Sequence, residues 1–114
     1  MIAVRPILAT PAVLALTTRI RQDIANPDEI APYLVWTRLT VVPELTLMQR
    51  PPGDRETIRV DVLARSEAER DALTVAVRDA LEGHGHVTNI QSLGQDADTH
   101  LWRMTMDADL FQPR

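Results

Sequence analysis

The stretch RVDVLARSEAERDALTVAVRDALEGHG, from Arg59 to Gly85, decides the fold. Its first residues continue an alternation: Ile58, Val60, Val62 and Ala64 are apolar, and Arg59 and Asp61 between them are charged, with Leu63 as the exception. That period of two predicts a strand with one buried face. The period then changes. Ala72, Leu73, Ala76, Val77, Ala80 and Leu81 recur at helical spacing and predict a helix with one apolar stripe. Ser66 followed three residues later by Glu69 is the pattern of a capping box, in which the Ser66 hydroxyl accepts from the Glu69 amide and the Glu69 carboxylate reaches back. Gly83 suits the helix end.

A strand turning into a helix is where many α/β proteins hold a phosphate or seat a nucleophile. This turn is built for neither. The cap occupies the free amides, Glu67 and Glu69 would repel an anion, and no glycine lets the backbone approach a ligand. A G-x-S-x-G elbow is also absent. The turn is read as scaffold, with Ser66 and Glu69 as its structural cap.

Outward from that unit, YLVWTRLTVV (residues 33–42) is β-branched and aromatic and reads as a strand that Pro43 ends. The quartet Pro51-Pro52-Gly53-Asp54 reads as a turn, and the next strand resumes at Thr57. On the other side, HVTNIQSL (86–93) is a strand candidate and GQDAD a hairpin loop. LWRMTMDADL (101–110) alternates cleanly, with Trp102, Met104, Met106, Ala108 and Leu110 on one face. Near the start, residues 4–17 read as a helix broken near Ala9, with Thr10 capping a second piece that opens on Pro11. A polar connector follows, with room for a brief strand around residues 19–22. The expected fold is therefore α+β: a two-layer sandwich with a mainly antiparallel sheet of about four strands, helices on one face, in the order α-β-β-α-β-β.

The chain has 114 residues, the length of one domain, with 45% hydrophobic and 25% charged residues. It has no cysteine, which removes disulfides, thiolate nucleophiles and cysteine metal sites. Net charge is −4 and all twelve basic residues are arginine, so the electrostatic footprint of a nucleic-acid binder is missing. Pro6 and Pro11 interrupt the early apolar run, which lacks a cleavage pattern and is too short to span a bilayer; no export and no membrane partner are expected.

Candidate chemistry is thin. His84 and His86, with His100 and Asp98 as conceivable companions, fall short of a metal-ligand set. Asp96 and Asp98 lack the further oxygens of a calcium loop. Serine occurs only at Ser66 and Ser92, so no nucleophile with a base is evident. No catalytic residue, metal or cofactor is assigned, and no enzyme activity is expected.

One segment lacks a bland explanation. VVPELTLMQRPPGD places Leu45, Leu47, Met48 and Arg50 in a long excursion, where apolar side chains are normally few. Either the excursion folds back over its own sheet, or residues of about 43–56 form a projecting arm whose apolar side chains pack on another subunit or on a tube. Unpaired strand edges offer a second docking route.

Taken together, these segments resemble one family. APYLVWTRLT, IRVDVLARSEAERDALTVAVRDAL and the finish LWRMTMDADL resemble the tail-terminator, or tail-completion, proteins of long-tailed phages and prophages. PILATPAVLAL matches the family's broken opening helix. Pro32, Tyr33 and Val35 match its proline before a Y-hydrophobic-V strand. Val60, Asp61, Val62, Leu63 and Ala64 match its V-D-V strand, and Ala80-Leu81 the end of its acidic-started helix. The chain departs from the family before Pro32, where only Arg19-Ile20 fits the usual G-R-I-Y-P-like stretch. The resemblance implies a virion protein at the head–tail junction, assembled in the host cytoplasm. It implies a homo-oligomer, a hexameric ring on the head-proximal end of the tail tube, that stops polymerisation and helps join the head. The implied partners are the tail tube protein and a head-completion or connector protein, with DNA passing through the lumen unbound. Another neck protein of the same virion, or a small non-enzymatic binding module, remain as alternatives.

Overall fold

The computed structural model describes residues 2–44 and 53–113. The chain opens with two short helices, α1 (Val4–Leu8) and α2 (Pro11–Leu14). The break between them has a local cause: Thr10 stays extended and its hydroxyl accepts from the Val13 amide at 3.3 Å, while Pro11 needs no amide partner as it opens α2. Next come β1 (Ile20–Gln22), β2 (Tyr33–Glu44) and β3 (Gly53–Ala64), then α3 (Glu67–Glu82), then β4 (Gly85–Gln95) and β5 (Trp102–Pro113).

The strands form one sheet in the order β1-β2-β3-β5-β4. The fold is α+β, but the sheet differs from the four antiparallel strands expected. It has five strands and is mixed, because β1 pairs parallel to β2, with Ile20 opposite Leu34. In β1 only Ile20 is buried, so hydropathy hardly marks it; backbone bonds hold it, including Leu34 N–H to Arg19 O at 2.9 Å.

The helices share one face. α1 and α2 each touch α3, and Val4, Leu8 and Val13 join Leu73, Val77 and Leu81 over the inward residues Val60, Val62, Met106 and Leu110. These side chains are essentially removed from water, each burial stabilising the fold by about 1.5–3 kcal/mol. The stripe of α3 is the expected one at Leu73, Ala76, Val77, Ala80 and Leu81. It differs at Ala72, which is exposed, and it takes in Arg70 and Thr74, which are buried. Arg70 is accommodated there because its guanidinium lies over the Trp102 ring, 5.5 Å from its centroid, and donates to Ser92 Oγ at 3.0 Å and Asp71 Oδ1 at 3.1 Å. It thereby ties the helix to β4 and β5.

The strands also run further than hydropathy indicates. β2 continues through Pro43 to Glu44, and β3 takes in Gly53 and Asp54, two residues whose types favour a turn. Beyond Trp36 no described strand pairs with β2 on its β1 side, so the missing amide of Pro43 breaks no ladder there.

Candidate assembly surface

The root of the β2–β3 hairpin is fastened by a buried charge. Glu56 has no exposure at all, although an acidic residue ahead of a strand reads as loop. Its carboxylate accepts from Arg38 Nε and from the Ile2 amide, and Arg38 Nη2 donates to Ile2 O at 2.7 Å. Arg38 also lies over Trp36, 5.2 Å from the ring centroid. Every charge in this clip has a partner, as burial requires. The clip sews the first residues of the chain to both strands of the hairpin. Above it, β2 and β3 keep pairing as far as Glu44 opposite Gly53, and β5 follows to Pro113 opposite Gly53. Leu45, Leu47, Met48 and Arg50, the apolar and basic candidates for a subunit or tube contact, lie outside the described residues.

Beside the hairpin root is a concave region centred on Phe111, which is 42% exposed. One flank is apolar, with Ile2, Pro6 and Ile7; the other is polar, with Arg55, His86 and Asp109. It exists because β4 begins at Gly85, opposite Leu110, and leaves the end of β5 without a β4 partner beyond Phe111 N–H to His84 O at 3.0 Å. Gly85 is required for that junction. A Cβ there would come within 1.9 Å of Asp109 O.

The face of the sheet away from the helices carries cross-strand pairs in place of a second layer. Arg59 grips Asp107 at 2.8 and 3.2 Å, and Thr57 donates to Asp109 at 2.7 Å. The Asp107 bond, reinforced by its charge, raises the Arg59 pKa further.

At the strand-to-helix turn, Ser66 Oγ accepts from the Glu69 amide at 3.1 Å. The Glu69 carboxylate reaches past Ser66 to the Arg65 amide at 3.0 Å, and Arg65 Nη2 donates to it at 3.0 Å. The Arg65 side-chain bond, then its amide, hold the Glu69 carboxyl below its ordinary pKa. The β4–β5 turn uses the same device. Asp96 Oδ1 accepts from Thr99 N at 3.0 Å and Asp98 N at 2.8 Å, which lowers its pKa. His84, His86 and His100 are exposed, and among the described residues no three histidine or carboxylate side chains gather as a metal requires. No described helix is long and apolar enough to cross a membrane.

The surface thus consists of strand edges, an anchored hairpin and paired charges. The sequence matches the family described as tail completion protein gp17 over residues 3–111. The chain belongs to that family. It is a structural component of the phage tail, and its place is the virion. Among solved structures, a chain from the virion of a native gene transfer agent particle has the same fold, with a TM-score of 0.61 at 18% identity, over 96% of this chain and 92% of that one. No curated protein matches the sequence.

Proposed function

We propose that this tail-completion protein forms a ring, a hexamer, on the head-proximal end of the tail tube. There it ends polymerisation and offers the surface to which the head is joined. Family membership over nearly the whole chain supports this reading. The architecture is suited to it: a one-layer cover of helices leaves strand edges and a long hairpin available for contacts that close by rotation. The hairpin arm at about 43–56 is the contact with a neighbouring subunit or with the tube, through Leu45, Leu47, Met48 and Arg50. The partners are the tube protein on one side and a head-completion or connector protein on the other. A net charge of −4 without lysine favours passage of DNA through the ring over binding to it.

Deleting the gene tests this directly. Filled heads should accumulate apart from tails, and the tails should be of uneven, abnormal length. Normal-length tails attached to heads in the deletion strain would refute the proposal.

A further inference from the structure

The sheet ends in two borders that differ in character. One is β4, whose sequence GHVTNIQSLGQ contains no Lys, Arg, Asp, Glu or Pro, the residues that ordinarily keep an edge strand from pairing. It is exposed along most of its length, and Ile90 and Leu93 are 38% and 45% exposed. Two register shifts in its ladder with β5, between Val87 and Asn89 and between Ser92 and Gly94, are its sole protection among those devices. The other border is β1 and, beyond it, the unpaired side of β2.

Strand direction makes the borders complementary. β1, β2 and β5 run one way, and β3 and β4 the other. A rotation that carries one copy beside the next about an axis along the strands preserves direction. It therefore brings β4 of one copy against β1 and β2 of the next in antiparallel sense, the pairing with the better hydrogen-bond geometry.

Charge agrees in level. Gly94 pairs with Arg103, Arg103 with Leu63, and Leu63 with Tyr33. The turn carrying Asp96 and Asp98 thus lies at the same end of the sheet as Arg19, whose carbonyl bonds to the Leu34 amide. Arg21 is already taken by Glu29 at 2.6 Å. Among the described residues the Arg19 guanidinium has no ion pair, and the exposed Asp98 carboxylate has none either.

We propose that the outer edge of β4 receives the β1–β2 border of a second copy, antiparallel, with Asp98 set against Arg19, so that neighbouring sheets join into one. This rests on the ring reading and names its contact.

The test uses the full chain, with oligomeric mass measured by native mass spectrometry and folding checked by thermal melting. Ile90→Lys with Leu93→Lys, and separately Arg19→Glu, should abolish the oligomer. Arg19→Glu combined with Asp98→Arg should restore it at unchanged melting temperature, which decides the matter even if the lysine pair unfolds the monomer. A wild-type oligomer that survives Arg19→Glu and the lysine pair overturns this contact and leaves the ring to the arm. A wild-type chain that stays monomeric at every concentration sinks the ring reading with it. Variants that assemble normally but no longer bind tube ends assign the edge to the tube protein, and also overturn the proposal.

Discussion

Glu56→Leu is the most informative single change to the monomer. It removes the carboxylate that Arg38 Nε and the Ile2 amide both donate to, in a site with no solvent exposure. Removing one partner of a buried ion pair costs about 3–5 kcal/mol, because the other charge is left unpaired. The Arg38 side chain keeps 19% exposure and can turn toward water, which places the loss near the lower end, at about 3 kcal/mol. A domain of this size is stable by roughly 6–17 kcal/mol, so the variant folds but is compromised. At about 4 °C per kcal/mol its melting temperature should fall by about 12 °C. Urea titration followed by circular dichroism measures the loss directly. The second arm is Arg38→Met together with Glu56→Leu, which replaces the pair by apolar groups and should recover much of the loss. The reasoning is refuted if Glu56→Leu costs less than about 1 kcal/mol, or if the double variant is no more stable than Glu56→Leu alone.

Four other outcomes are expected. Ser66→Ala should destabilise by about 1 kcal/mol, the usual loss of an N-cap, without impairing assembly; selective loss of assembly at unchanged stability would make the turn a site. Gly85→Ala forces a Cβ onto the Asp109 carbonyl and should cost about 1–3 kcal/mol or more in a urea melt. Glu69 and Asp96 have depressed folded-state pKa values, so their stabilisation is complete above the unfolded values of 4.5 and 3.8 and disappears as pH falls through the lower folded ones; carboxyl NMR titration should show each titrating below its own unfolded value, and Glu69→Gln should flatten the acid limb of stability. Leu45, Leu47 and Met48 changed together to Ser should impair assembly while the melting temperature holds; a core-like collapse of stability would place them in the monomer core instead.

The parts of the fold that are legible in the sequence are those where one local rule dominates. Ile58 to Ala64 alternate with Leu63 as the one exception, and the stripe of α3 is nearly continuous, so the order of residues alone reveals β3 and α3. The Thr10-Pro11 break in the opening helix is visible for the same reason. What stays hidden depends on partners distant in sequence. Glu56 reads as loop because its compensation comes from Arg38 and from the backbone of Ile2, 18 and 54 residues away. Arg70 reads as surface, since nothing local announces the Trp102 ring or Ser92. β1 has a single buried residue, and its strand character comes from backbone bonds to β2. Pro43 reads as a stop because the sequence does not reveal that β2, among the described residues, is paired on one side only at that point, where a missing amide breaks no ladder. Of the candidate assembly surface, the excursion is visible as a run of apolar residues out of place, but the uncharged β4 edge becomes a border only once the strand order is known.

The clip on Ile2 has a practical corollary for anyone handling this protein. An affinity tag or fluorophore fused to Met1 sits one residue from a backbone amide already committed to a fully buried carboxylate, so the fusion itself risks prying the clip open. Val75, 60% exposed on the outer side of α3, is the safer attachment point. In a chain with no cysteine of its own, Val75→Cys would carry the only thiol, and a single dye there could report on assembly while leaving the clip, the arm and both sheet borders untouched.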